Sequence, residues 1–231
     1  MTDFFRFPHT PHIAWLAAGT PRDDKVLSPE EGDALLAHAV VVEEKLDGAN
    51  MGISFGPDGV LRVQNRGQYL NKPFGGQFAR LQEWLAVRED TFFDALGDQL
   101  ILFGEWCAAQ HSLDYDGLPD WFMAFDVYDR QTGRFWSTRR RHELAQKLGV
   151  REVPRVSQGH TELPVLIEWV KSHRSHYREG SLEGVVIRHE DDDWLLQRAK
   201  LVRPDFVQSI EEHWRSRALQ WNRVIWTEDQ A

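Results

Sequence analysis

The sequence predicts an α+β fold, with helices packed on antiparallel hairpins. Three observations carry that prediction. Two pairs of apolar runs are joined by short polar turns, "GPDG" at 56–59 and "EDDD" at 190–193. Two further apolar runs of strand length, "QLILFGEW" and "DWFMAFDVYD", lie between those hairpins. Segments with helical apolar spacing and recognisable caps separate them.

In chain order, "SPEEGDALLAHA" starts a helix, with Ser28 as N-cap, Pro29 in the first position and Glu31 three residues after the cap. "HAVVVEEKLDG" reads as a strand that runs into a tight turn. "ANMGISFGPDGVLRVQNRG" predicts a hairpin, with Ile53 and Phe55 alternating before its turn and Val60 and Arg62 after it. Residues 77–96 show helical spacing through Phe78, Leu81 and Leu85. "STRRRHELAQKLG" predicts a helix closed by Gly149, and "TELPVLIEWVKSHR" another. "SLEGVVIRHEDDDWLLQRAKLV" predicts the second hairpin. From Pro204 to about Trp226 a last helix is predicted, with Phe206, Ile210, Trp214 and Trp221 near one face. No repeat or linker divides the chain, so residues 1–231 read as one domain.

The bulk numbers narrow the classes. Hydrophobic residues make up 42% and charged residues 27%, ordinary for a globular protein. No run of 18 or more apolar residues could span a membrane, and the first residues lack the pattern of a secretory signal. Cys107 is the single cysteine, so no internal disulfide forms; a reducing cytoplasm is expected. The ten histidines are scattered, without zinc spacing. A net charge of −9 argues against nonspecific nucleic-acid binding over the whole surface. A local basic groove is compatible with it, from Arg66, Arg188, Arg198, Lys200 and Arg203. "RRRH" at 139–142 reads as a solvated helix face.

Chemistry concentrates at strand ends. In "EEKLDGANMG", Lys45 sits among Glu43, Glu44 and Asp47. Holding a lysine as free amine at pH 7 costs roughly 4.6 kcal/mol, and nearby carboxylates raise that cost while a bound metal lowers it. Alone, the stretch reads as a surface turn. Five more strand ends follow in polar residues: "VQNRG", "LFGEW", "MAFDVYD", "LEGVVIR" and "LQRAKL". Together they bring three carboxylates (Asp47, Glu105, Glu183) and four cations (Lys45, Arg66, Arg198, Lys200) toward one groove. That set suits a triphosphate with its metal.

Taken as an ordered set, these elements resemble the covalent nucleotidyltransferase superfamily of ATP-dependent ligases and capping enzymes. The set is Lys45-Leu46-Asp47-Gly48, Arg66, Glu105, Phe125-Asp126, Glu183-Gly184 and Lys200. Asn50, with "FGEW", "FDVYD" and "EGVVIR", is most similar to the RNA-ligase branch that includes phage-type nick-sealing enzymes. The resemblance implies an ATP-grasp-like nucleotidyltransferase (adenylyltransferase) domain with antiparallel sheets and flanking helices. It implies an ATP-dependent RNA ligase that needs magnesium or manganese and acts on RNA ends, in a nicked duplex or a broken RNA.

It also implies roles. Lys45 attacks the α-phosphate of ATP to form lysyl-AMP. Arg198 and Lys200 hold the α-phosphate, Phe125 stacks on adenine, and Glu105 meets the ribose. Glu183 lies near metal, and Asp47 near the nucleotide sugar or a metal-bound water. Arg66 meets the phosphate of AMP or of the RNA end, and Asn50 acts in the later steps. Glu44 and Gly48 complete the nucleotide-binding set. The alternatives are a DNA ligase, a capping guanylyltransferase that uses GTP, and a binding module that has lost catalysis.

Two departures from the family pattern stand out. The last motif usually reads Lys-x-Lys; here it is Arg198-Ala199-Lys200. About 30 residues follow it, so the resemblance leads us to expect no separate OB-fold or large C-terminal domain, and either a minimal ligase or a protein partner that supplies grip on RNA. "FRFPHTPHIAWL" reads as a turn that packs Phe7 and Trp15 on the domain, in preference to phosphate contacts by Arg6, His9 and His12. "AAQHSLDYDGLPDWF" reads as a loop beside the ATP site, and Cys107 as a buried thiol.

Overall fold

Two sheets, antiparallel but for one short parallel strand, meet where strand β1, Val40–Lys45, passes the chain to β2, Ala49–Phe55. The computed structural model describes residues 4–19, 21, 25–209 and 218–225. Before β1 lies helix α1, Pro29–Leu36, which starts as its sequence requires. Glu31 donates its backbone N–H to Ser28 Oγ at 3.2 Å, and Ser28 donates its own to Glu31 Oε2 at 2.8 Å. β2 turns at 56–59 into β3, Leu61–Asn65. A 3₁₀ turn at Gly76–Phe78 leads to α2, Leu81–Ala86, and α3, Glu89–Leu96. β4, Leu100–Trp106, and β5, Phe122–Asp129, follow, then the short β6, Arg134–Phe135, and α4, Thr138–Leu148. The chain continues through β7, Arg151–Glu152, β8, Arg155–Gly159, and α5, Leu163–Ser172. The second hairpin is β9, Gly184–Glu190, with β10, Leu195–Val202, and α6 covers Pro204–Ser209.

The first sheet has the order β10-β9-β1-β8, and the second β3-β2-β4-β5-β6 with β7 beside β5. Each sheet buries a large apolar cluster, and Ile101 and Phe103 of the second sheet bury a smaller one with Phe7. Val40, Val42, Ile187 and Leu201 pack with Leu166 and Val170 of α5. Met51, Ile53, Leu102, Trp106 and Phe122 pack with Leu81, Leu85 and Phe92 of α2 and α3. The registers set the site: Lys45 lies opposite Gly184, Lys200 opposite Val186, and Asn50 opposite Glu105. Among the described residues no helix is long and apolar enough to cross a membrane.

Most expected elements are present, and four expectations change. The helical stretch 77–96 is a 3₁₀ turn and two short helices, because the chain bends at Val87–Arg88 to turn both Leu85 and Phe92 into the core. β7 and β8 went unpredicted: around Pro154 they are half-exposed edge segments that carry no alternation to read. The last helix ends its described part at Ser209; Ile210 and Trp214 lie outside the described residues. Trp221 is not helical: it bridges to Ala109, and Val224 to Leu118. Finally, "RRRH" is not a uniformly solvated face. Arg141 is 4% exposed and ion-paired, since position 141 of α4 points at the sheet. α4 itself starts on Ser137 and closes on Gly149 in the left-handed region, φ 64°, as glycine there allows.

Candidate active site

A cavity of about 450 Å³ opens between the two sheets, within the usual size of a small-ligand pocket. Residues 46–48, which cross from one sheet to the other, lie in its wall. Gly48 is required there for space: a Cβ would stand 2.6 Å from the Trp106 carbonyl oxygen. Its N–H donates to Glu105 Oε1 at 3.1 Å.

Lys45 ends β1 with Nζ 2.7 Å from Glu183 Oε1. Glu183, beside Gly184 at the start of β9, is 4% exposed, and its Oε2 has no hydrogen-bond partner. Burial disfavours the Lys45 ammonium, but Glu183, Glu105 and Asp47 outweigh it and hold the pKa up at about 12. The carboxylates carry the cost of this crowding. Burial pushes Glu183 up to about 8 and Glu105 to about 7, with Lys45 opposing both shifts.

Asp47 is held by the loop that joins β4 to β5. Its Oδ2 accepts the N–H groups of Ser112 and Leu113, both at 2.7 Å. Its own N–H donates to the Tyr115 hydroxyl at 2.8 Å. Opposite, Glu44 Oε2 accepts the backbone N–H of His176 at 3.0 Å and faces its Nδ1 at 2.8 Å, while Oε1 is buried without a hydrogen-bond partner. Asn50 Oδ1 and Arg66 Nε are also buried without one. Several polar atoms around this cavity thus lack a protein partner, which is costly unless a ligand supplies one.

Phe125 presents its half-buried ring to the cavity beside Phe7, the two centroids 5.4 Å apart. The Phe125 carbonyl behind that ring accepts from Arg141 at 2.5 Å and Arg188 at 3.3 Å. Those two arginines form a buried ionic hub. Arg141 pairs with Glu43 at 2.5 Å and Glu152 at 2.6 Å, and Arg188 with Asp126 at 2.8 Å and Glu190 at 2.6 Å. Burial works against Arg188, but Asp126, Glu43 and Glu190 outweigh it and keep it protonated.

All of the expected residues line the one cavity: Glu44, Lys45, Asp47, Gly48, Asn50, Arg66, Glu105, Phe125, Glu183, Arg198 and Lys200. Position 198 differs in what its charge meets. Arg198 pairs with Asp126, and its guanidinium lies 4.4 Å over Phe7 and 4.5 Å over Phe135. In this arrangement Arg198 braces the wall, and Lys200 of the same motif also lines the cavity. The groove of five basic residues is smaller than expected. Arg188 is turned into the hub, and Arg203 pairs with Asp205 away from the cavity lining.

Sequence reading missed the contribution of the N-terminal segment. Phe7 packs into the core as expected, yet Phe7, Thr10 and His12 also line the cavity. The segment runs along β10: Lys200 donates its backbone N–H to the Pro11 carbonyl at 2.8 Å, and Ile13 donates to that of Lys200 at 2.9 Å. An extended Thr-Pro-His carries no periodic signal that could have shown this. Cys107 is buried and its thiol is pushed up by burial, in line with an inert core residue.

A divalent cation fits this donor set in one way only. Among the described residues no three His, Cys, Asp or Glu side chains cluster as a metal cage. Glu183 Oε2, buried and without a hydrogen-bond partner, is open to a cation, with Asp47 beside it. A hard cation held by one or two carboxylates takes its other ligands from phosphate and water, as magnesium does.

No curated protein matches the chain. Several solved structures of a Naegleria gruberi RNA ligase are similar in fold. The form with PPi superposes with a TM-score of 0.60 at 16% identity, over 90% of this chain and 65% of that one. A mutant with AMP and Mn gives 0.59 at 16%, over 78% and 54%. A mutant with ATP and Mn gives 0.57 at 16%, over 76% and 52%. The chain therefore spans between about half and two thirds of the length of those it matches. Residues 38–202, more than half of the chain and all of the motif-bearing strands, match the RNA ligase family model, and the chain belongs to the RNA ligase family.

Proposed function

We propose that this protein is an ATP-dependent RNA ligase that works through a lysyl-AMP intermediate on Lys45. The observation that carries the reading is Lys45 at the mouth of a sheet crossover, ringed by Glu183, Glu105 and Asp47, in a cavity sized for a nucleotide. The N. gruberi ligases solved with ATP, AMP, manganese or PPi lend support from a shared fold.

The steps follow from what each side chain can do. Lys45 Nζ gives up a proton and attacks the α-phosphorus of ATP; the N–P bond forms and the P–O bond to pyrophosphate breaks. Glu183 Oε1, 2.7 Å away, is the nearest acceptor for that proton. When bound, a magnesium or manganese ion supplies positive charge that offsets the three carboxylates and favours the free amine. Phe125 offers its face to the base, and Glu44 Oε1 an acceptor at the base or sugar edge. Lys200 and Arg66 neutralise phosphate charge. An oxygen of an RNA 5′-phosphate then displaces Lys45 from phosphorus, which gives an adenylated end. A 3′-hydroxyl attacks that 5′-phosphorus and AMP leaves. Each step is an in-line displacement, so positioning and charge neutralisation dominate. Asn50 stands at the cavity with its carbonyl oxygen unpaired, suited to the strand-end steps.

The test is direct. The protein is mixed with magnesium and α-labelled ATP or GTP and run on a denaturing gel. Label from ATP that vanishes in Lys45→Ala, followed by sealing of a nicked duplex, is the expected result. Label from GTP alone would replace the reading with capping, and no label would leave a binding module.

A further inference from the structure

The loop from Cys107 to Trp121 holds Asp47 through two amides and a hydroxyl, yet it has no regular structure of its own. A loop of that length needs partners for its backbone polar groups. Tyr177 and Arg178 hold its residues 114–117: Tyr177 O accepts the N–H groups of Asp116 at 3.2 Å and Gly117 at 3.1 Å, and Arg178 Nε donates to Asp114 O at 3.0 Å. Other backbone groups of the loop pair with the extended segment 218–225, which lies outside the span matched by the RNA ligase family. Gln110 donates its N–H to Gln220 O at 2.9 Å, Arg223 donates to Tyr115 O at 2.8 Å, and Ile225 donates to Leu118 O at 2.9 Å.

Asn222 is the centre of this strap. It is 4% exposed. Its Oδ1 accepts the Tyr115 N–H at 2.8 Å, and its Nδ2 donates to Cys107 O at 2.8 Å and Ala109 O at 3.3 Å. Its backbone N–H donates to Ala108 O at 2.9 Å. An asparagine side chain has two donor hydrogens and an acceptor oxygen, and every group is used. The bonds close the stretch 107–115 on itself. Ser112 and Leu113, whose amides grip Asp47, sit inside that closed stretch, and Tyr115 is bound by Asn222 directly.

We propose that Asn222 is a positioning residue for the nucleotide site, fixing Asp47 two residues from Lys45 by closing the 107–115 loop. Its consequence for ligation rests on the ligase reading; the physical link from Asn222 to Asp47 does not. An alanine at 222 leaves a buried N–H and two carbonyls unpaired, and the loop opens. The two amides then leave Asp47 Oδ2, and the carboxylate loses its fixed direction toward the cavity.

Residue-resolved amide hydrogen exchange on the full chain tests the link. In Asn222→Ala the amides of Ser112 and Leu113 exchange roughly tenfold or more faster than in the parent, while those of Ile53 and Leu102 in the core strands keep their rates. Asn222→Asp keeps the acceptor for Tyr115 but turns a carboxylate on two carbonyl oxygens. Protonation returns one donor, so its exchange at 112 and 113 recovers toward the parent as pH falls, which a simple packing defect would not do. Magnesium-ATP binding by calorimetry weakens roughly tenfold in Asn222→Ala, in step with the exchange. Leu219→Ser, at an exposed position of the same strap, changes neither. Unchanged exchange at 112 and 113, or faster exchange with unchanged magnesium-ATP binding, overturns the proposal. A parent protein that binds magnesium-ATP but never labels Lys45 overturns the ligase reading instead, and the exchange and binding results still decide the role of Asn222.

Discussion

Two residues of one strand feed two ionic clusters with opposite characters. Glu43 belongs to the hub of Arg141, Arg188, Asp126 and Glu152; Lys45, two residues on, belongs to the cluster of Glu183, Glu105 and Asp47. In the hub each arginine meets at least two carboxylates, and its remaining N–H groups reach carbonyls such as that of Phe125. At Lys45 the carboxylates outnumber the cation. Glu183 and Glu105 sit far above the usual carboxylate range, and an oxygen of Glu183 goes without a hydrogen bond. Every hub carboxylate faces an arginine. Asp126 Oδ1 is included, since it lies 2.8 Å from Arg188 although without hydrogen-bond geometry. The hub holds two sheets and the Phe125 backbone in place. The Lys45 cluster is incomplete, and what would complete it is a divalent cation that brings phosphate with it. Such unmet polar demand marks a site more surely than charge alone.

Breaking the hub has the largest expected effect. Arg141→Met strands Glu43 without its closest partner in a buried place, at a cost of about 3–5 kcal/mol. Urea unfolding measures it; a loss below about 1 kcal/mol would mean that the hub does not hold the sheets together. Breaking the Lys45 cluster should do the reverse. Glu183→Gln lowers the rate of labelling from ATP by about 10²–10³. Its unfolding midpoint at pH 8 stays equal to the parent's or rises, since an unfavourable charge is removed. A variant that unfolds more readily yet labels normally would erase the contrast between the clusters.

The pH dependence sharpens the comparison further. Glu183 and Glu105 have folded values of about 8 and about 7, above the ordinary 4.5, so between those limits the folded state binds more protons than the unfolded one. Stability then falls as pH rises from about 4.5 through 8, the opposite of a salt-bridged carboxylate with a lowered pKa. Lys45, held up at about 12, adds stability that is present below 10.5 and is lost as pH rises through 12. Thermal midpoints read across pH 5 to 9 should decline in the parent and decline less steeply in Glu183→Gln, where Glu105 still titrates. A midpoint that climbs over that range would contradict the assignment. The smallest effect is expected at the exposed end of "RRRH". Arg139→Ala removes surface pairs with Glu143 and Asp193 and should change stability by about 0–1 kcal/mol, in contrast to Arg141 two positions on.

Much of this site is legible in the order of the amino acids alone. "KLDG", "NRG", "FGEW" and "EGVVIR" set charged residues at the ends of short apolar runs, and such ends keep their meaning wherever the strand ends up. The polar ends of antiparallel neighbours meet because register forces them to, as Lys45 meets Gly184 and Asn50 meets Glu105. Local chemistry likewise determined the caps of α1 and α4, because those bonds span three or four residues. What stayed hidden was long-range. The partners Arg141 and Glu43 are 98 residues apart, and Asn222 and Cys107 are 115 apart. Within its own helix Arg141 looks like its exposed neighbours, and Asn222 sits in a stretch whose tryptophans mimic a helix face. Phe7, Thr10 and His12 reach the cavity only because β10 offers them an edge. By itself, then, the sequence determined the strands, the caps and the chemistry at the strand ends, all of which depend on near neighbours. The tertiary structure alone decided which charges are paired and silent, which are left unmet, and which distant segments hold the reactive turn in place, because burial and partner are properties of the packed chain.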